Sequence, residues 1–271
     1  ASSGNRISDN YIKGSLDSSA ISLSQSSHYN FVKNNLIDLQ GSISSGLFIS
    51  SSDNLVENLV IKNSGTDAIR LFEAPYDFGI NNNTFVNLSV SGTSSFYPDL
   101  SVRFDGRINS SIVFSDISSL GKYSFIEPIY GYNDRLVFRD SKFGELRFLD
   151  SVFGSGMNLS DEIQIKNNSV SVKTSQNLGF NKSAEITLYG IGDRGFLNPV
   201  IKINTQNCPS NVCVALTPLN AQNVKFNVTG FILSPITTYG VGEGSSRILP
   251  PPRTHDFHYK SSVNEYAEKR R

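Results

Sequence analysis

Tryptophan is absent from this chain, methionine occurs once, and no apolar run approaches the roughly 20 residues that a membrane-spanning helix requires. No membrane span is therefore expected. Excess charge is missing too. The 24 basic residues are matched by 24 acidic ones, which argues against a whole-chain footprint for nucleic acid or a membrane surface. The three histidines (His28, His255 and His258) are remote from the two cysteines, so no ligand constellation emerges and neither metal nor cofactor is expected. No secretory leader is recognisable, and the chain reads as mature or trimmed. The cysteines themselves lie close together in Cys208-Pro-Ser-Asn-Val-Cys213. A small-loop disulfide is favoured over two free thiols. It would stabilise the fold by roughly 2 kcal/mol and place the protein outside a reducing cytosol.

What the chain does have is Ser, Asn and Gly, which favour turns, beside Val, Ile and Phe, which favour strands. Four hexapeptides repeat within it: Ile7-Ser-Asp-Asn-Tyr-Ile12, Val32-Lys-Asn-Asn-Leu-Ile37, Val56-Glu-Asn-Leu-Val-Ile61 and Ile80-Asn-Asn-Asn-Thr-Phe85. Each places Asn or Asp two positions after an apolar residue, with a second apolar residue three further on. The Asx positions are Asp9, Asn34, Asn58 and Asn82, with steps of 25, 24 and 24. Periods of this size mean stacked coils. Preceding segments repeat as well, in Ala20-Ile-Ser-Leu23, Gly46-Leu-Phe-Ile49 and Ala68-Ile-Arg-Leu71, each with strand-like alternation. About three short strands and no helical stretch per period predict a parallel β-helix.

The Asx residues fit a sharp corner between strands, because Asn and Asp tolerate left-handed backbone. Stacked about 4.8 Å apart, their side chains are expected to hydrogen-bond along the axis. The flanking pairs Ile7 and Ile12, Val32 and Ile37, Val56 and Ile61, and Ile80 and Phe85 are expected to point inward as columns. On these residues, the run A-I-S-L-S-Q-S-S-H-Y-N-F-V-K-N-N-L-I resembles the right-handed parallel β-helix repeats of the NosD-like, carbohydrate-binding and sugar-hydrolase superfamily. The resemblance covers roughly residues 1 to 155 and implies a fold more strongly than a function. Later coils drift. Ser110-Ser-Ile-Val-Phe114 stands where the next corner is expected, and Phe138-Arg-Asp-Ser-Lys-Phe143 and Phe148-Leu-Asp-Ser-Val-Phe153 recover the outline ten residues apart. These last turns are either a different coil shape or a cap.

The expected fold class is thus all-β: a right-handed parallel β-helix over 1–157, a small β-sandwich over 158–245 and an extended Pro-rich basic tail over 246–271. The sandwich rests on strand-like segments at Ile163–Ile165, Val170–Lys173, Ala184–Tyr189, Val200–Ile203, Val212–Leu216 and Val224–Val228, punctuated by Gly, Pro and Asn. N-K-S-A-E-I-T-L-Y, C-P-S-N-V-C, F-N-V-T-G-F and Y-G-V-G-E-G resemble modules that follow β-helices in archaeal surface proteins. In the tail, three successive prolines favour extended backbone, and six Lys/Arg stand against three Asp/Glu. The chain opens midway through a coil, so self-association, or association with other surface proteins, is expected through an open β-helix end or through this tail.

Chemistry is harder to find. Enzymes of the resembled fold work from charged grooves, and hydrolysis needs two carboxylates at a defined separation. The best local cluster is Asp99, Arg103, Asp105 and Arg107, whose alternation also suits an outward salt-bridged ladder. Neither a Gly-His-Gly nor a paired-Asp signature occurs, and the copper association of the NosD-like family finds no ligands here. Tyr97, Tyr130 and Tyr132 lie in excursions. Their rings either stack on sugars or pin the loops, so the candidate carbohydrate contacts are Tyr97, Asp99, Arg103, Asp105, Tyr130 and Tyr132. Seven sequons begin at Asn82, Asn87, Asn109, Asn158, Asn167, Asn181 and Asn227. With 27 Asn and 53 Ser plus Thr, chance supplies about five, so their number says little about selection. The expected function is an extracellular or cell-surface, non-enzymatic structural or adhesive protein, including a subunit of a filament. The alternative is a polysaccharide-binding or polysaccharide-degrading protein.

Overall fold

The structure is a computed structural model. It describes residues 3–244 except 15–17, 25–26, 42, 73–79, 104–110, 118, 127–134, 176 and 232–234, so the tail lies outside the described residues. The N-terminal part is a parallel β-solenoid of about four turns. One sheet runs from Arg6–Ser8 and Tyr11–Lys13 through Phe31–Asp38, Leu55–Lys62, Asn83–Ser91 and Ser111–Ser115 to Arg135–Asp140. The other stacks Ile21–Leu23, Leu47–Ile49, Ile69–Phe72, Leu100–Arg103 and Tyr123–Ile126. Strand alternation sends one apolar residue in two to the axis. The resulting columns include Ile21, Leu47, Ile69 and Leu100, and Ile37 with Ile61 and Val90, all buried. Each such side chain contributes roughly 1.5–3 kcal/mol when fully buried.

The corners are left-handed, as expected, but one rung of the expected ladder is corrected. Asn34 donates through Nδ2 to Asp9 Oδ1 (2.9 Å), and Asn58 to Asn34 Oδ1 (2.9 Å). The next rung is Asn87, which donates to Asn58 Oδ1 at 2.9 Å. Asn82 instead donates to Asp53 Oδ1 (3.1 Å) in another column. The third step is therefore 29 residues, not 24. That coil is five residues longer, so Phe85 takes the place of Val56 and Val90 that of Ile61, while Ile80 is buried elsewhere. Phe85, Phe114 and Phe138 continue this column as a stack, with ring centroids 5.2 and 5.8 Å apart. The following corner is Asp116, at φ 54° just past strand Ser111–Ser115.

A second, buried column was not anticipated. Asn5 donates its backbone N–H and its Nδ2 to Asn30 Oδ1 (3.1 and 2.9 Å), and Asn30 does the same to Asn54 Oδ1 (3.1 and 3.0 Å). Asn54 repeats the pattern on Asn83 Oδ1 (3.0 and 2.9 Å), and Asn83 Nδ2 ends the series on the carbonyls of Ser51 and Ile80. Asn30, Asn54 and Asn83 are buried, and the next coil places Ile112 beside Asn83.

The parallel order stops at residue 140. Asp140 Oδ1 accepts the N–H groups of Lys142 and Phe143, both at 2.9 Å, and the chain reverses. Gly144 opens the returning strand, where a Cβ would meet Thr187 O at 2.2 Å. Gly144–Phe148 pairs antiparallel with Arg135–Asp140, so the first of the two late outlines, Phe138–Phe143, spans the end of one hairpin arm and its turn, while the second, Phe148–Phe153, begins where the returning strand ends. Ala184–Leu188, Val224–Val228 and Cys213–Ala215 then extend the same sheet. Gly154–Gly156 closes the second sheet in antiparallel sense. Ile163–Lys166, Ser169–Val172, Thr237–Glu243, Pro199–Ile203 and Gln206–Asn207 form a third, antiparallel sheet. The strands expected of the sandwich thus all occur, but they divide between the continued solenoid sheet and this third one. Aromatic rings join the layers without a break: Phe148 meets Phe180 (5.8 Å) and Phe231 (6.1 Å), and Phe231 meets Tyr239 (5.4 Å). Cys208 and Cys213 are disulfide-bonded with Cα atoms 6.0 Å apart, tying the end of the third sheet to the first.

Two outcomes follow from these contacts. Asn54→Val should destabilise by about 3 kcal/mol, because it strips the acceptor from two buried donors of Asn30 and leaves Asn83 Oδ1 with the residue-54 backbone N–H as its one remaining donor from this coil. Asn58→Val at the partly exposed corner should cost about 1–2 kcal/mol, mainly in left-handed strain. Denaturant unfolding in which Asn58→Val proves the more damaging would reverse this ordering. The second concerns Glu145, buried between Arg139 (2.6 Å) and Arg147 (3.1 Å). Burial alone would raise its carboxyl, but the hydrogen bonds from both arginines hold it below the usual 4.5. The folded chain therefore binds this proton less tightly than the unfolded one. Its stabilisation is present above about pH 4.5 and is lost as pH falls below it. Glu145→Gln should flatten this acid limb of the stability–pH curve.

Candidate functional site

Residues just ahead of the second sheet line up from coil to coil. The register of Ile21, Leu47, Ile69 and Leu100 brings Ser18, Ser44, Thr66 and Tyr97 into one row and Ser19, Ser45 and Asp67 into the adjoining one. These residues, with Ile43 and Arg70, line an open groove of about 370 Å³. Tyr97 is 44% exposed, and Phe96 beside it is 90% exposed. The groove therefore combines an aromatic face, a row of hydroxyls and one carboxylate–guanidinium couple.

Its electrostatics centre on Asp67. Burial pushes this carboxyl above its ordinary value, while the Arg70 charge and a hydrogen bond with Ser101 oppose the shift. Arg70 also stands over the Phe72 ring at 5.5 Å, and Arg103, one coil further on, stands over the same ring at 5.1 Å. Arg70 is thus common to the groove and to a cationic face beyond it.

The expected contact residues are only partly brought together. Tyr97 lines the groove, and Arg103 approaches it through Phe72. Asp99 turns to another cleft, of about 400 Å³, where its Oδ2 accepts the Gly121 N–H at 3.0 Å. Asp105, Tyr130 and Tyr132 lie outside the described residues, as does the sequon residue Asn109. Of the other sequon residues, Asn82 and Asn87 are rungs of the exposed ladders, and Asn158 caps helix Leu159–Glu162 by accepting from Asp161 N–H (3.1 Å). Asn167 Oδ1 accepts from Arg194, Asn181 is exposed, and Asn227 Oδ1 is buried without a hydrogen-bond partner. Asp67, Arg70 and Thr66 were not singled out from the sequence. Their signal was available, because they precede or occupy the repeated segment Ala68–Leu71 at the coil position that Tyr97 also holds.

A larger cavity, about 450 Å³, lies where the first sheet meets helix Leu159–Glu162 and includes Asp116, Asp140 and Asp161. All three carboxylates are committed to turns and caps. Asp116 holds Ser141 N–H (2.8 Å), Asp140 the hairpin, and Asp161 the Asn158 amide (2.7 Å). Among the described residues no group of three His, Cys, Asp or Glu side chains is placed to hold a metal ion. The buried Tyr123 donates to Glu162 and receives Asn177 Nδ2 at 3.2 Å. Burial first, and then the Glu162 bond, raises the proton affinity of this phenol far above its ordinary value, so the group is a lock between solenoid and cap. Comparison of the chain with protein-family models, curated proteins and solved structures finds no match.

The Asp67 assignment is open to direct titration. Carbon-detected NMR should place its midpoint above the ordinary 3.8, and Arg70→Gln should move it further up, since the opposing charge is removed. A midpoint that drops in Arg70→Gln would contradict the coupling.

Proposed function

We propose that this chain is a non-enzymatic structural or adhesive protein of an extracellular surface, a stiff solenoid that presents a glycan-binding groove. The observation that carries this reading is the make-up of that groove: exposed Tyr97 beside Thr66, Ser45 and the Asp67–Arg70 couple. Sugar rings offer C–H faces to aromatic side chains and hydroxyls to charged and hydroxyl partners, so an open groove of this kind suits retention of a glycan. Hydrolysis calls for a pair of carboxylates roughly 5–10 Å apart. Asp67 is the sole carboxylate among the described residues that line the groove, which favours holding over cleaving. The Cys208–Cys213 bond suits an oxidising compartment. The reading as a polysaccharide-degrading protein draws on one feature, the raised proton affinity of Asp67, which a general acid would share.

Pull-down on a panel of immobilised plant, microbial and animal polysaccharides, with a parallel assay for new reducing ends, separates these readings. Retention by at least one polysaccharide is expected, weakened about tenfold or more in Tyr97→Ala, with no reducing ends released. Reducing ends that accumulate with the native chain and vanish in Asp67→Asn would transfer the assignment to degradation. Retention on none of them would remove the glycan reading.

A further inference from the structure

Left-handed corners in this solenoid fall on Gly, Asn and Asp, with exceptions among the described residues at Gln40 (φ 52°) and Tyr29, of which only Tyr29 is aromatic. The register just ahead of the first sheet places Gly4, Tyr29, Asp53 and Asn82 in one column, with φ of 71°, 59°, 60° and 55°. Glycine and Asx residues accept this conformation readily, whereas a bulky aromatic residue is strained in it. Packing does not compensate, because the Tyr29 side chain is 69% exposed. Strain kept without a structural return is a mark of functional positions.

The surroundings of the ring supply the rest. His28, Tyr29, Ser52, Asp53, Asn81 and Asn82 line an open cleft of about 340 Å³. The His28 ring stands 6.3 Å from that of Tyr29, tilted by 59°. Its Nδ1 accepts the Ser52 N–H at 3.4 Å, which puts the proton of the neutral imidazole on Nε2 as a donor. Asp53 Oδ1 accepts from Asn82 Nδ2 at 3.1 Å, and this holds the carboxylate at the cleft. Asn81 is fixed by its N–H on Ser52 Oγ (3.0 Å), while its Oδ1 is buried without a hydrogen-bond partner. The atom has no accessible surface as it stands, so a ligand hydroxyl relieves it once the amide turns toward the cleft.

We propose that this cleft is a binding site for a neutral pyranoside, with Tyr29 as the stacking face, His28 as donor and Asp53 and Asn81 as acceptors. An apolar face ringed by one donor and two acceptors complements a sugar, and the Asp53 charge disfavours uronates and other anions. The site shares no residue with the groove at Tyr97 and lies at another corner of the coil, so it stands independently of that reading.

Saturation-transfer NMR on the full chain tests it, with methyl glucoside, methyl galactoside, methyl mannoside and N-acetylglucosamine as probes and glucuronate as the anionic comparison. At least one neutral sugar should bind, and more tightly than glucuronate. Affinity should fall about tenfold or more in Tyr29→Asn and stay within about threefold in Tyr29→Phe, which keeps the stacking face. Tyr29→Asn should also raise the thermal midpoint, since Asn accepts the left-handed corner, and this shows that its lost binding is not lost folding. The proposal is overturned if no neutral sugar binds, if binding survives Tyr29→Asn, or if glucuronate binds best. It is equally overturned if the midpoint of Tyr29→Asn falls, or if Tyr97→Ala alone abolishes binding, which would assign the sugar to the groove.

Discussion

The amide column Asn5–Asn30–Asn54–Asn83, buried from Asn30 onward, is the constraint from which the solenoid's order follows. The side-chain oxygens of Asn30, Asn54 and Asn83 each accept two donors from the preceding coil, one of them backbone. A single bond contributes only about 1 kcal/mol net, but an amide left unpaired in the interior costs more than its bond contributes. The column therefore acts less as a store of stability than as a penalty on misregistration. A coil that slipped by one residue would carry an apolar side chain into the place of an amide and leave two donors without an acceptor. Apolar columns on either side tolerate exchange of Val for Ile or Phe. The amide column does not.

That strictness explains why the parallel stack can end cleanly. Once Asn83 discharges its donors onto the carbonyls of Ser51 and Ile80, and Ile112 succeeds it, no amide acceptor needs to be met by the next coil. The chain then turns at Asp140 and continues the same sheet in antiparallel sense, while the rings of Phe148, Phe180, Phe231 and Tyr239 carry one core from coil to cap. A cap made this way hides the cross-section of the last coil beneath its own strands. The Tyr123–Glu162–Asn177 lock and the Cys208–Cys213 bond fasten it.

With the axis so firmly held, function is left to the corners. Side chains there point outward, repeat once per coil and are free of the packing rules that govern the interior. Ser18, Thr66 and Tyr97 belong to such a row ahead of the second sheet, and Tyr29, Asp53 and Asn82 form one ahead of the first. Both rows put an aromatic residue where other coils carry a small polar one. A stiff rod with such rows can vary them one coil at a time without disturbing its core.

The period, the parallel stacking, the left-handed Asx corners and the segments that form strands were determined by local pattern, because strand alternation and corner tolerance are properties of a few adjacent residues. The pairing of Cys208 with Cys213 was legible for the same reason, since five positions of chain cannot separate them far. What joins with what across coils was decided only by the tertiary structure. The sequence spacing made Asn82 the partner of Asn58, yet the longer third coil passes that place to Asn87, in the equally regular stretch Phe85-Val-Asn-Leu-Ser-Val90. The division of the late strands between two sheets, the buried amide column and the meeting of Thr66, Arg70 and Tyr97 share this origin. Each depends on how many residues every excursion inserts between coils, and an insertion of any length leaves the local pattern on either side unchanged.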